Sequence, residues 1–273
     1  MYAIFLHGHQ KLDRVARRHL ATLLGNNDHQ FPDSKHILHF EGKRGPDAPR
    51  LKKRAGESPW HFIDPHREED RELVQLIEQH YASLVSALRE QHHSRAAFES
   101  AWLAHALVDG LTPAHHYPFG EAIEELRGEP HTTRKGLIGR AYVRGETPVQ
   151  SVLRTFKLIG PHGVMTNHTT FEGGVYVILH PLKIRRGLPR DIDINRFQEL
   201  GVGEYFLQQA KEVASFSFYA RFLRRGWTPD LMRDVRLHLG PRLVRLITLA
   251  WYSAYVDAQK RTPKPEAKKG KKS

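Results

Sequence analysis

The sequence predicts a mostly α-helical protein, and three observations support this fold class. Apolar residues recur three and four positions apart over several long segments, which is the spacing of one helix face. No series of alternating strand patterns is visible in the sequence. Hydrophobic residues make up 40% of the 273 residues and charged residues 26%, a balance typical of a globular domain. We therefore expect a single-domain helical bundle over residues 1–259.

Helical spacing is clear in three segments of the first half. Residues 10–24 carry an apolar stripe that ends at a Gly-Asn turn signal. Residues 29–59 are rich in Gly, Pro and charge, which predicts an irregular connector. A second helix is expected over residues 66–88. A third, over residues 95–110, is apolar around nearly its whole circumference, so we expect it at the centre of the domain.

The second half is less uniform. Short helices are expected at residues 121–127 and 149–158. Residues 167–182 are ambiguous, because Thr, Val, Tyr and Ile favour a strand and two adjacent glycines disfavour a helix. Helices are expected again over residues 193–225, 229–239 and 242–259.

Composition restricts the chemistry that the chain can perform. Cysteine is absent, which excludes disulfide scaffolds, thiolate metal sites and cysteine nucleophiles. Histidine occurs 19 times, so imidazole and carboxylate are the main metal-binding groups. No apolar run approaches the roughly 20 residues of a membrane-spanning helix. The first residues lack the basic segment and cleavage site of a secretory signal, so we expect a cytoplasmic protein.

The formal net charge of +12 is unevenly distributed along the chain. Residues 260–273 contain seven basic residues and one acidic residue, a contribution of +6. Because this segment has almost no apolar side chains, we expect a disordered basic tail. Such a tail could bring the protein to an anionic membrane or to nucleic acid, or it could only increase solubility.

Two polar residues on the central helix suggest metal chemistry. His105 and Asp109 are four positions apart, so their side chains project from one face. A buried carboxylate and imidazole are costly unless they pair with each other or bind a metal. His115 follows where the chain turns after the helix and offers a third donor. Pairing and metal binding both remain open from this spacing alone.

This part of the sequence resembles the central helix of the zinc-dependent phospholipase C family, which includes the related fungal single-strand nucleases. The matching pattern is His105-x3-Asp109-x5-His115, with Thr112-Pro113 before the last histidine. Further segments resemble family motifs in the same order along the chain, namely His9-Gln10-x-Leu12, Gly45-Pro46-Asp47, His61-Phe62-Ile63-Asp64-Pro65 and His168-x3-Glu172. Thr112-Pro113 and Glu172 match the phospholipase branch of the family better than the nuclease branch. The resemblance covers about residues 1–175.

The resemblance implies ligands for two or three zinc ions. The first ion would be held by Asp47, His61, His105 and Asp109, the second by His115, His168 and Glu172, and the third by Met1, His9 and Asp109. These nitrogen and oxygen donors suit hydrolytic rather than structural zinc sites. Asp47 is implied as the residue that helps to deprotonate the attacking water.

The sequence leaves more than one choice of ligands open for the second zinc ion. His131 or His162 could take the place of His168, because the stretch between His115 and His168 is long. If residues 167–182 formed a strand, His168 and Glu172 would lie about 13 Å apart, too far for one metal ion.

Other candidate residues are expected to be structural. Asp33 follows a proline, as Asp47 does, and is therefore an alternative to it. Asp64 is expected to cap the helix after Pro65. His92 lies in a polar turn between helices, where we expect no metal.

We expect a zinc-dependent phosphodiester hydrolase that cleaves a phospholipid head group with a metal-activated water. A nuclease or nucleotidase is the alternative enzyme, and the basic charge favours it. A binding module that keeps the metal site without catalysis is the alternative from another class. The expected partner is a phosphodiester substrate, either phospholipid or nucleic acid.

Overall fold

A computed structural model describes residues 2–41, 45–46, 61–116, 122, 125–128 and 143–260, with side chains from residue 8 onward. Within these ranges the protein is mostly helical and contains no strand, as the sequence predicts. The short helix expected at residues 121–127 lies partly outside these ranges, and the basic tail lies outside them after its first residue. None of the helices in these ranges is long and apolar enough to cross a membrane.

Ten α-helices lie within the described residues. They are α1 (Tyr2–Leu24), α2 (Ser34–Glu41), α3 (Glu72–Arg89), α4 (His93–Leu111), α5 (Pro148–Ile159), α6 (Val164–Leu179), α7 (Asp191–Ser215), α8 (Phe218–Arg225), α9 (Pro229–Asp234) and α10 (Gly240–Gln259). Short 3-10 helices occupy Gly25–Gln30, Pro113–His115 and Arg185–Gly187, and a π-helical segment occupies Val235–Leu239 between α9 and α10.

Helix α4 lies at the centre of the fold, which confirms the expectation from its apolar sequence. It packs against α1, α2, α3, α7 and α10, and its side chains are buried over most of its length. The indole of Trp251 in α10 is fully buried and donates a hydrogen bond to the carbonyl of Ser100 at 3.0 Å. Because nearly every face of α4 is covered, its polar side chains must find partners inside the protein.

The prediction of an irregular connector over residues 29–59 is wrong for residues 34–41, which form α2. Asp33 starts this helix, because its Oδ1 accepts a hydrogen bond from the amide of His36 at 2.9 Å. Ile37 is fully buried and Glu41 is 1% exposed, so one face of α2 packs inward against α4. The exposed polar residues of α2 obscured the helical pattern in the sequence.

The chain between Pro65 and α3 also differs from the prediction. Helix α3 begins at Glu72 rather than directly after Pro65. Asp64 therefore caps a turn and not the helix, since its Oδ1 accepts from the amide of His66 at 3.0 Å. Its own amide donates to Asp70 at 2.8 Å, which closes the turn.

Residues 167–179 belong to helix α6, so the strand alternative for this segment is wrong. Phe171 is fully buried and stacks on Trp227, with the ring centroids 5.2 Å apart. Gly174 faces the same indole so closely that a Cβ would overlap it. A glycine is therefore needed at this position because α6 packs closely against Trp227, and the helix is not broken there.

The expected helix over residues 193–225 is interrupted. Helix α7 ends at Ser215, and Ser217 has a left-handed backbone with a φ of 52° before α8 begins. Within α7, Gly201 has a φ of 76° and kinks the helix.

Candidate metal centre

The structure brings together seven of the side chains that the sequence singles out. They come from α1 (His9), the segment before α3 (His61), α4 (His105 and Asp109), the turn after α4 (His115) and α6 (His168 and Glu172). The remaining two predicted residues, Met1 and Asp47, lie outside the described residues.

Asp109 is the centre of this arrangement. Its Oδ2 accepts a hydrogen bond from Nδ1 of His61 at 2.5 Å and lies 3.1 Å from Nε2 of His105. Its Oδ1 lies 3.2 Å from Nε2 of His9 and 3.9 Å from Nε2 of His115. A single buried carboxylate therefore faces four imidazole rings.

Donor atoms collect in three groups that could each hold a metal ion. Within each group the candidate ligand atoms lie within 4.8 Å of one another. The groups are His61, His105 and Asp109; His115, His168 and Glu172; and His9, Glu41 and His105. The first two groups follow the division of ligands that the resemblance implies, whereas the third contains an unexpected residue.

The second group depends on the helical conformation of α6. His168 and Glu172 are one turn apart, and Nε2 of His168 lies 3.1 Å from Oε1 of Glu172. The same carboxylate oxygen lies 2.6 Å from Nε2 of His115. His162 is exposed outside this group, and His131 lies outside the described residues.

Backbone contacts hold the segment before α3 against the turn after α4. Nδ1 of His115 donates to the carbonyl of His61 at 2.9 Å, and the amide of Ile63 donates to the carbonyl of His115 at 3.2 Å. The ring of Phe62 stacks on the His115 ring at 5.1 Å. Because Nδ1 is occupied by a carbonyl, Nε2 of His115 is the nitrogen that faces the second group.

Glu41 is the site residue that sequence reasoning missed. Its Oε1 accepts a hydrogen bond from Nδ1 of His105 at 2.8 Å, on the opposite side of the ring from Asp109. It also lies 3.9 Å from Nδ1 of His9, whose ring stacks on His105 with centroids 4.1 Å apart. The sequence does carry one signal for this position. Asp33 can start a helix, and Ile37 and Glu41 then follow at intervals of four residues, on one inward face.

Asp13 extends this buried acidic region toward the interior of α1. The residue is 2% exposed, and neither carboxyl oxygen has a hydrogen-bond partner within the described part of the chain. Burial and the neighbouring carboxylate of Glu41 raise the pKa of Asp13 well above its ordinary value. Burial thus disfavours a charge on Asp13, and Glu41 is the carboxylate that contacts His105.

The donor set fits a metal ion. Tetrahedral coordination with bonds of 2.0–2.1 Å places neighbouring ligand atoms roughly 3.3 Å apart. The separations of 3.1 Å between His105 and Asp109 and of 3.1 Å between His168 and Glu172 are close to this value. In addition, Nε2 of His105 is buried without a hydrogen-bond partner in the described residues. A cation between His105 and Asp109 would satisfy both groups.

The electrostatics of the cluster favour positive charge. Burial opposes a charge on His105, but the carboxylates of Asp109 and Glu41 raise its pKa well above the ordinary value. In the same way Asp109 and Glu172 outweigh burial and raise the pKa of His115 to about 9. Despite burial, the surrounding histidines hold the pKa of Asp109 well below its ordinary value. The Asp109 carboxylate thus stays negative inside the protein and attracts cations.

Three other candidates lie away from the metal groups. Asp33 is a helix cap, and His92 is an exposed side chain that lies 3.7 Å from Glu90. His116 follows His115 but donates from Nε2 to the carbonyl of Gly110 at 2.7 Å, and burial lowers its pKa to about 4. It therefore supports the end of α4.

Compared with models of known protein families, with curated proteins and with solved structures, the chain has no match in any of the three.

Proposed function

We propose that this protein is a zinc-dependent phosphodiester hydrolase that cleaves the head group of a phospholipid. One observation carries the proposal: the carboxylate of Asp109 belongs to one group of candidate metal ligands and also faces His115 of a second group. One of its oxygens faces His61 and His105, and the other faces His115 of the second group. Two neighbouring metal sites are an arrangement suited to hydrolysis of phosphate esters.

Zinc suits the donor set better than calcium or magnesium. Four of the six residues in the two groups beside Asp109 are histidines, whereas calcium and magnesium prefer oxygen ligands throughout. Bound zinc would lower the pKa of water and neutralise charge on the phosphate oxygens. No thiolate ligand is possible in this chain because it has no cysteine, which separates the site from the thiolate sites of structural zinc modules.

The described side chains would hold and orient this centre. Glu41 fixes the His105 ring through Nδ1, and the carbonyl of His61 fixes the His115 ring in the same way. The side chains of His61 and Glu172 are 17% and 22% exposed, so the cluster is open to solvent on one side. A phosphate group can approach from that side.

The reaction would be hydrolysis of a phosphodiester. The oxygen of a water molecule bonds to phosphorus, the bond from phosphorus to the diacylglycerol oxygen breaks, and a proton reaches that oxygen. Asp47 is the residue that the family resemblance implies for accepting the water proton, and it lies outside the described residues. Its role therefore stays a prediction.

Metal analysis combined with a substrate panel tests the proposal. Protein that has been stripped with a chelator and reloaded with zinc would be assayed on phosphatidylcholine, single-stranded DNA and a nitrophenyl phosphodiester. We expect bound zinc and hydrolysis of the lipid and of the nitrophenyl ester, both lost in the stripped protein. Faster cleavage of DNA would instead identify a nuclease. Zinc binding without turnover of any substrate would indicate a binding module.

A further inference from the structure

Helix α5 carries its apolar residues on the outside of the protein. Val149, Val152, Leu153, Phe156 and Ile159 form what we call the α5 apolar face. Their exposed fractions range from 47% for Ile159 to 68% for Val149. The spacing of three and four positions places all five on one side of the helix.

The opposite side of α5 is the one that faces the protein, and it is partly polar. Leu158 is fully buried, and Ser151 is buried beside it. The hydroxyl of Ser151 accepts a hydrogen bond from the amide of Gly145 at 2.8 Å, and that of Thr155 accepts from the amide of Val143 at 3.0 Å. The orientation of α5 is therefore fixed by inward contacts, which leave the α5 apolar face pointing outward.

We propose that the α5 apolar face docks on the surface of an anionic phospholipid bilayer. A short helix with one apolar side and cations beside it lies in the plane of a membrane interface. Helix α5 has 12 residues, so it is about 18 Å long and cannot span a bilayer. The proposal rests on the proposed function, because a phospholipid substrate is what would bring the protein to this surface.

The charges around the α5 apolar face match an anionic surface. The helix contains Arg154 and the exposed Lys157 and no acidic residue. Arg144 and Glu146 precede it, so this region of the surface carries a net charge of +2 from three basic residues and one acidic residue. Anionic lipid attracts such cations at the edge of an inserted apolar face.

Helix α5 is also connected to the candidate metal centre. It packs on α6, the helix that carries His168 and Glu172. Its buried Leu158 belongs to a small apolar cluster that includes Phe62, and Phe62 stacks on the His115 ring. A bilayer in contact with α5 would therefore lie near the candidate metal centre, where we propose that its lipids are cleaved.

Vesicle binding by the full zinc-loaded chain tests this surface. Vesicles of phosphatidylcholine with and without phosphatidylglycerol would be separated by flotation. Replacing Leu153→Ser and Phe156→Ser together should lower vesicle affinity about tenfold or more, because less apolar area is buried in lipid. Lys157→Gln should weaken binding only to the anionic vesicles. The control variant carries Ile192→Ser and Leu223→Ser, which remove exposed apolar residues outside α5. It should bind both kinds of vesicle as tightly as the unmodified protein does.

If something other than a membrane covers the α5 apolar face, the same variants give different results. Unchanged vesicle binding by the Leu153 and Phe156 double variant, or no vesicle binding by the unmodified protein, would overturn the proposal. A dimer that the double variant converts to monomer would identify a second copy of the chain as the occupant.

A soluble nitrophenyl phosphodiester separates this proposal from the proposed function. Its hydrolysis should be unchanged in the Leu153 and Phe156 double variant. If the protein binds vesicles through α5 but hydrolyses neither lipid nor the soluble ester, the proposed function is wrong and the docking surface stands. If lipid is hydrolysed equally by the double variant, the docking surface is wrong and the proposed function stands.

Discussion

Nδ1 of His105 donates a hydrogen bond to Oε1 of Glu41 at 2.8 Å, while Nε2 of the same ring lies 3.1 Å from Oδ2 of Asp109. The two carboxylates therefore fix the imidazole from both sides. A carboxylate behind a histidine orients the ring and makes its other nitrogen a better metal donor. This makes Glu41 a positioning residue of the candidate metal centre, although it comes from the short helix α2.

Substitution of Glu41 should weaken metal binding. Glu41→Ala leaves a buried N–H of His105 without its acceptor, and we expect about a 10- to 100-fold loss of zinc affinity. Glu41→Gln keeps an oxygen acceptor at the same position, so it should recover part of this loss. Competition with a chromophoric chelator measures the affinity of each variant.

Glu99 provides the matched control on α4. It is fully buried and accepts a hydrogen bond from Nδ1 of His80 at 2.6 Å, but it belongs to none of the metal groups in the described residues. Glu99→Ala should therefore lower the melting temperature while zinc affinity is retained. Equal zinc affinities of the Glu41→Ala and Glu99→Ala variants would contradict the role of Glu41.

Removal of Asp109 should disable both groups beside it. Asp109→Ala takes away the carboxylate that faces His61, His105 and His115, so we expect less bound zinc and no measurable turnover. Stability should also fall by on the order of 3–5 kcal/mol, because one partner of a buried charged pair is lost. Elemental analysis, turnover and thermal unfolding measure these effects together.

His92→Ala is the control for the Asp109 variant. His92 is exposed, and its recorded partner is the exposed Glu90. This variant should keep its zinc content, its turnover and its melting temperature. Full zinc content and normal turnover in the Asp109→Ala protein would exclude the proposed centre.

The fold was predictable wherever apolar residues recur at helical spacing over a long segment. The central position of α4 follows from its apolar circumference, and α5 and α10 follow from their spacing. Helix α2 was missed because eight residues offer only two buried positions, Ile37 and Glu41. The ambiguity of α6 came from its strand-favouring residues and its two adjacent glycines. The reason for one of them, Gly174, is the close Trp227 ring, which a distant part of the chain supplies.

The site was predictable only where its residues match a known pattern. The spacing of His105 and Asp109 indicates a shared face, but spacing alone cannot bring His9, His61 or His168 to the same carboxylate. Glu41 follows from no motif, because its role depends on how α2 packs against α4. The outward orientation of the α5 apolar face was also hidden, since an amphipathic sequence does not show which side faces the core.

The two glycines of α6 should respond in opposite directions to alanine. Gly174→Ala would place a methyl group against the Trp227 indole, and such overpacking costs about 1–3 kcal/mol. A Cβ at Gly173 has no neighbour within 4 Å in the described residues, so Gly173→Ala should stabilise the helix by up to about 1 kcal/mol. Urea unfolding measures both free energies. A neutral Gly174→Ala variant would contradict the close packing of α6 on Trp227.

Deletion of residues 261–273 should leave folding and soluble turnover unchanged. Helix α10 ends at Gln259, and the last buried residue of the described core is Ala258, so every core residue in the described part of the chain is kept. The segment carries six basic residues and one acidic residue, which is a net charge of +5. We expect the truncated protein to bind anionic vesicles less tightly at low salt and equally at high salt, because salt screens these charges. Melting temperature, nitrophenyl ester turnover and vesicle flotation at two salt concentrations check this. A truncated chain that fails to fold would show that the basic segment belongs to the folded domain.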